Sequence, residues 1–229
     1  MYTLSNVEHQ RGDIMPPCID EYSFNALPEV FDSKGVSVRY VHDTDKKWFA
    51  LRATYGREDI ASKCLLNHGV YSYIAKRYVK RRIGNKTRLI LKSLIPNMVF
   101  AYATDNQAKQ LVRHTPELSF LEFYYNRLDC NADGFNPPLV IPEREMENFI
   151  LATCSHNEHL LLVTPERCHY RNGDSVRVAD GLFRGVEGRV ARVAGQQRVV
   201  IELTGIGLVT TAYIPTAFLE PVERQDANR

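Results

Sequence analysis

A chain of 229 residues, 44% hydrophobic and 24% charged, is long enough for one large or two ordinary domains and too apolar for a wholly unstructured protein. Its formal net charge of +2 excludes a highly basic protein. The charge is unevenly spread, since residues 1–45 hold eight acidic and three basic residues and residues 46–229 therefore carry +7. Cys18, Cys64, Cys130, Cys154 and Cys168 are an odd number without a CxxC pair, which fits reduced thiols. No apolar run approaches the ~20 residues that span a bilayer, and the opening stretch is polar and broken by Pro16 and Pro17. A cytoplasmic monomer is expected.

Residues 1–46 read as an acidic, partly disordered extension. Its one ordered candidate is a strand over 35–41, where Val36, Val38 and Tyr40 alternate with Ser37, Arg39 and Val41. A strand over 48–53 and a turn at Gly56 lead into a helix over 57–67 with Ile60, Ala61, Cys64 and Leu65 as its apolar stripe, closed by Gly69. A strand over 70–78, a basic turn around Gly84 and Asn85 and a return strand over 87–94 follow. After Pro96 come a strand over 98–102, a helix over 106–113 and a strand over 118–125.

Residues 127–141 read as a loop, and 141–150 as a helix with Pro142 in its first turn and Met146, Phe149 and Ile150 as its buried edge. Residues 154–172 are expected to be a linker. From Gly173 the chain reads as strands at 173–179, 189–193, 198–203 and 208–214, with turns at Gly195 and Gly205 to Gly207 and with Val199, Ile201 and Leu203 pointing inward. Residues 223–229 are a polar tail.

Strand, helix, strand, strand, helix, strand is the plan of a ferredoxin-like sandwich, and short strands with glycine turns indicate a small SH3-like barrel. The expected class is α+β: an extension (1–46), a sandwich (47–153), a linker (154–172), a barrel (173–222) and a tail (223–229).

The sandwich resembles the N-terminal (NGN) domain of NusG transcription factors. The matching residues are Trp48 and Phe49, Gly56, Arg57 and Glu58, Gly69, and the run from Leu94 to Phe100. NusG proteins usually carry Pro-Gly-Tyr in that run, whereas Asn97 and Met98 follow Pro96 here, a departure that suggests a specialised paralogue. With the long extension and the closing helix, the chain resembles the UpxY group. Gly173, Val176, Val178, Gly181, Gly185, Gly188 and Val190 resemble the KOW motif of the last NusG domain. Gly173, Gly181, Gly185 and Gly188 are its turn positions, where a tight loop needs unusual backbone angles or close approach.

The resemblance implies an apolar face for the clamp helices of RNA polymerase, made by Phe49, Leu94, Ile95, Pro96, Met98 and Phe100. Strand alternation assigns about half of this run to an inner face. Lys76, Arg77, Lys80, Arg81, Arg82, Lys86 and Arg88 form a basic stretch without an acid, suited to a phosphate backbone or to a solvated hairpin tip. Arg57 and Lys63 extend it toward non-template DNA by resemblance. Leader RNA is a further expected ligand, and a ribosomal or termination protein the expected partner of the KOW domain.

Cys154, His156, His159, Cys168 and His169 include zinc donors, but their spacing is unlike the usual sites, and ordinary linker residues are the default. No metal or cofactor is expected. No GxSxG, Walker loop, GxGxxG or HExxH occurs, so the expectation is not an enzyme. His68, at a helix end, reads as a cap partner. Seven glycines between 173 and 221, with many Val and Thr, disfavour a helical form of the last domain.

The expected function is transcription elongation and antitermination on surface (capsular) polysaccharide operons. A housekeeping NusG and an RNA-binding, ribosome-associated KOW protein remain alternatives. The acidic extension is expected to screen the basic hairpin.

Overall fold

The computed structural model describes residues 30–31, 37–38, 40–127, 130 and 134–222, with backbone alone at 30–31, 37–38 and 170–174. The strand expected over 35–41 is shorter: β2 (Ser37–Val38) pairs antiparallel with β1 (Val30–Phe31). Most of the acidic extension, and the 223–229 tail, lie outside the described residues.

β3 (Lys47–Ala53) is the centre of the first sheet. Strand alternation sends Trp48 and Ala50 to one face and Phe49, Leu51 and Ala53 to the other, and all five are buried. In chain order there follow α1 (Glu58–Asn67), β4 (Tyr71–Tyr73), β5 (Lys76–Ile83), β6 (Lys86–Ser93), β7 (Met98–Ala103), α2 (Asp105–His114), β8 (Leu121–Phe123) and β9 (Val140–Ile141). The strand order is β4-β7-β3-β8, antiparallel throughout, with β9 also on β3. This is the expected succession with one change: the strand expected over 70–78 divides into β4, which joins the sheet, and the start of β5, which with β6 forms a separate two-stranded hairpin between β4 and β7.

α1 ends as its sequence predicts. Gly69, at φ 70°, donates its N–H to Leu66 O (2.9 Å), and Val70 donates to Leu65 O (3.0 Å), so two otherwise orphaned carbonyls are satisfied. His68 caps through its backbone N–H, which reaches Cys64 O and Leu65 O. The stripe is rotated from expectation: Ala61, Leu65 and Leu66 are buried, whereas Ile60 is 56% exposed. Ala61 and Leu65 pack with Phe49, Leu51 and Val99 of the sheet, and Ile60, about 100° round the helix from Ala61, faces away. α2 starts with a capping box between Thr104 and Gln107.

α3 (Glu143–Thr153) covers the opposite face of the sheet. Pro142 stands just before it as the N-cap residue, not within its first turn as expected. The Phe149 ring meets Phe100 at 5.5 Å and Tyr73 at 6.2 Å, both edge-on. With helices on both faces, every residue of β7 is buried.

The second sheet runs β10-β14-β13-β12-β11-β15. Its strands are β10 (Leu161–Val163), β11 (His169–Val178), β12 (Glu187–Val193), β13 (Gln196–Leu203), β14 (Gly207–Thr210) and β15 (Leu219–Pro221). β10 and the start of β11 fall within the stretch expected as linker. Leu161–Val163 is recruited because it completes the edge of β14, with Leu162 opposite Val209. Val199, Ile201 and Leu203 are buried on one face, as expected, and Val200 is buried on the other with Ala191 and Val193. One apolar cluster passes from Trp48 and Phe100 through Met146, Phe149 and Ile150 to Val176, Val199 and Ile201, so α3 lies between the two sheets.

Candidate functional site

The β5–β6 hairpin turns at Gly84 and Asn85, with Ile83 opposite Lys86. Gly84 has φ 60°, the positive angle that a two-residue hairpin turn asks of its first central position. Eight residue pairs follow without a slip. Because directly opposed residues share a face, the register puts Arg77 with Lys92, Val79 with Ile90, Arg81 with Arg88 and Ile83 with Lys86 on one side. Lys76, Tyr78, Lys80 and Arg82 take the other side. Arg81 and Arg88 are therefore like charges placed opposite one another, an arrangement that disfavours the pair unless an anion joins it.

The seven predicted cations divide by partner. Lys76 forms an ion pair with Asp59 in the first turn of α1, and Lys80 Nζ is 3.0 Å from Glu158 Oε2. Arg77 Nη1 donates to Leu160 O (2.7 Å), and Arg82 Nε to Gly84 O (3.2 Å). Among the described residues no carboxylate pairs with Arg81, Arg82, Lys86, Arg88 or Lys92. Lys92 was not among the expected site residues, although its place beside Arg77 follows from the register.

Arg57 is engaged locally, by Phe120 and Thr54. Its guanidinium lies over the Phe120 ring at 3.9 Å, and its Nε and Nη2 donate to Thr54 O and Thr54 Oγ1 at 3.1 Å each. Beside it, Tyr55 is 91% exposed at φ 61°. Asn97, which stands where the resemblance expects glycine, has φ 60°. Asparagine tolerates that angle better than most residues, and its Oδ1 accepts from Gly56 N–H (2.9 Å) while its own N–H donates to Glu58 Oε1 (2.7 Å). Lys63 is exposed on α1.

The expected polymerase face is covered. Leu94, Ile95, Met98 and Phe100 are all 7% exposed or less and belong to the cluster shared with α3 and the second sheet. Phe49 lies in the cluster on the opposite face of the sheet, beside a cleft of about 220 Å³ that Phe123, Pro137, Pro138 and Val140 also line. Pro96 is exposed. Phe49 thus lies on the other face from Met98 and Phe100, because it stands opposite Ala101 and neighbouring positions on a strand point oppositely.

Residues 154–160, expected as linker, run along the free edge of β5. Tyr78 N–H donates to His156 O (2.9 Å), and the Tyr78 and His156 rings meet edge-on at 6.4 Å. His156 Nδ1 lies 3.2 Å from Lys76 O. Burial lowers the His156 pKa, so the ring is neutral near pH 7. The same segment reaches the second sheet, where buried Arg198 donates from Nη1 to His159 O (2.7 Å) and Thr211 O (2.8 Å). Cys154 Sγ contacts Leu151 O (3.3 Å), and Cys168 is buried. Among the described residues no group of three His, Cys, Asp or Glu side chains is placed to share a metal ion.

Tyr40 is a functional-looking residue that pattern reading left in the extension. Its ring stacks on Trp48 at 5.7 Å and lies 4.8 Å from Tyr102. Its hydroxyl donates to Glu143 and to Glu147 Oε1 (3.0 Å), one turn apart on α3. Burial first, and then these carboxylates, push the Tyr40 pKa far up, so the hydroxyl stays protonated. His42 Nδ1 sits 2.8 Å from Glu143 Oε1.

Of the four glycines expected at turns, Gly181 and Gly185 have the positive φ of a turn, whereas Gly173 and Gly188 lie within β11 and β12. Gly185 is at φ 85° against Leu151 of α3, and a Cβ on Gly188 would stand 2.3 Å from Val200 O. Gly181 is at φ 82°, and Gly173 lies within β11. No helix among the described residues is long and apolar enough to cross a membrane.

Residues 46–150 match the family model described as transcription termination factor nusG. The match spans β3 to α3, including the inserted hairpin, and ends before the second sheet. No curated protein matches the chain.

Proposed function

We propose, from the NusG-family domain at residues 46–150, that this chain is a non-enzymatic transcription elongation and antitermination factor of the UpxY type, acting on surface polysaccharide operons. The observation that carries the reading is the coincidence of the family match with a helix-flanked sheet that bears a basic hairpin whose Arg81, Lys86, Arg88 and Lys92 have no acidic partner among the described residues. In this reading the first sheet and its helices form the ferredoxin-like polymerase-binding unit, and the hairpin holds the nucleic acid. The second sheet is a KOW-type barrel that recruits a ribosomal or termination protein. Asn97, accommodated at a left-handed position, supports a specialised paralogue over the housekeeping factor.

The burial of Leu94, Ile95, Met98 and Phe100 adds a condition. Polymerase engagement through these residues requires α3 and the second sheet to separate from them. Pro96, already exposed, is the first point of contact.

The test is capture of purified RNA polymerase on the immobilised full chain, followed by transcription through a terminator with and without the protein. Capture that weakens in Pro96→Glu, together with increased read-through, is expected. Absence of polymerase capture alongside binding to ribosomes would favour the ribosome-associated alternative and sink the proposal.

A further inference from the structure

The hairpin has two sets of cations in different states, and the difference is made by the chain itself. Arg81, Lys86, Arg88 and Lys92 have no acidic partner among the described residues. Arg77 and Lys80 are engaged by Leu160 O and Glu158, both on the segment that follows α3. That segment pairs with β5 through the Tyr78 N–H to His156 O hydrogen bond, and it is tied to the second sheet through Arg198 and His159 O. One stretch of five residues therefore touches the hairpin on one side and the second sheet on the other.

We propose that residues 156–160 act as an intramolecular stand-in for a phosphodiester backbone on the free edge of β5. Glu158 occupies the position of a phosphate on Lys80, and the Leu160 carbonyl does the same for Arg77. When the second sheet leaves α3, Arg198 draws the segment with it, freeing Arg77 on the side of Arg81 and Arg88 and Lys80 on the side of Arg82, so that a phosphodiester backbone following the edge of β5 meets both. The docked second sheet thus holds the hairpin in a weaker binding state, and its release strengthens the hairpin by two cations. The physical basis is that a nearby carboxylate competes with phosphate for the same ammonium group, while each cation that reaches a phosphate releases counterions. This inference rests on the proposed reading of the hairpin as a nucleic-acid surface.

The experiment uses the full chain and fluorescent oligonucleotides of one sequence as duplex DNA, single-stranded DNA and single-stranded RNA, titrated across a salt series. Glu158→Gln frees Lys80 at an exposed position. It is expected to steepen the log affinity against log salt slope by about 0.9 on the duplex and about 0.7 on a single strand. The oligonucleotide that the wild-type chain binds most tightly at fixed salt, and whose slope steepens by its own expected amount in Glu158→Gln, identifies the source of the phosphate. Arg198→Gln, which loosens the segment from the second sheet, is expected to expose the Tyr78 amide to hydrogen exchange and to steepen the slope further. An unchanged slope in Glu158→Gln, or a Tyr78 amide that exchanges equally in wild type and Arg198→Gln, overturns the clamp. The double variant Arg81→Gln, Arg88→Gln separates the two ideas. Weaker binding there with an unaltered Glu158→Gln refutes the clamp alone, and no salt-dependent binding by any form refutes the hairpin reading itself.

Discussion

Asn148 and Glu187 exchange two hydrogen bonds: the Asn148 amide donates to Glu187 O at 2.5 Å, and Glu187 N–H donates to Asn148 Oδ1 at 2.8 Å. β13 pairs with β12 only from Arg189 onward, so this side chain of α3 supplies the pairing a neighbouring strand would give. Asn148→Ala leaves both backbone groups of Glu187 without that partner. A loss of about 1–3 kcal/mol is expected in denaturant unfolding, with earlier proteolytic separation of the second sheet.

Glu187 also accepts from Arg177 (2.6 Å) and Arg144 (2.9 Å). Burial by itself raises its pKa, but the two arginines outweigh that and hold it below the usual carboxylate value. A depressed folded pKa contributes stability that is present above the unfolded value, about 4.3, and is lost as pH falls through the folded value. The stability difference between wild type and Glu187→Gln should therefore be greatest above about pH 4.3 and shrink on acidification. A difference that grows as pH falls contradicts this assignment.

The screening role expected of the acidic extension needs a cut placed before Tyr40. Removing residues 1–39 leaves the Tyr40 ring on Trp48 and Tyr102 and its hydroxyl on Glu147. That truncation should leave thermal stability nearly unchanged and, if the extension screens the hairpin, raise DNA affinity at low salt. Tyr40→Ala should cost about 3 kcal/mol, as for other buried aromatic truncations, and lower the melting temperature of the whole chain.

Gly188→Ala tests the tightness of the second sheet. The added methyl would meet Val200 O at 2.3 Å and Val199 Cγ1 at 2.7 Å, and backbone cannot swing aside as a side chain does. Destabilisation of at least about 1–3 kcal/mol is expected by calorimetry. Gly84→Ala, where nothing lies within 4 Å, should cost only the strain of its positive φ.

Much of the first sheet is readable from the sequence because its signals are local. Gly69 ends α1, Gly84 turns the hairpin, and Thr104 with Gln107 starts α2. Short elements were not readable, since Val140–Ile141 and Leu161–Val163 are too brief for a period to declare itself. The burial of Met98 and Phe100 is not legible in the sequence for a different reason: β7 is apolar at every position because it is covered on both sides, so alternation distinguishes no outward residue. Tyr40, Asn148 and Glu158 work through partners between 39 and 107 positions away, and no local pattern records such pairings.

The hairpin can also be regarded as a ruler with parity. At about 3.3 Å per residue, Arg81 stands ~17 Å along β5 from Lys76, and the whole strand reaches ~26 Å. Deleting one residue from each strand would shorten that reach by ~3 Å and move Arg81 and Arg88 to the opposite side relative to the base. Deleting two from each would shorten it by ~7 Å and keep them where they are. Because β5 and β6 pair with no other strand, such changes alter reach and aim without changing the register of the sheet that carries them. Steps of two residues therefore change the reach of the charged tip alone, whereas a step of one changes reach and aim together.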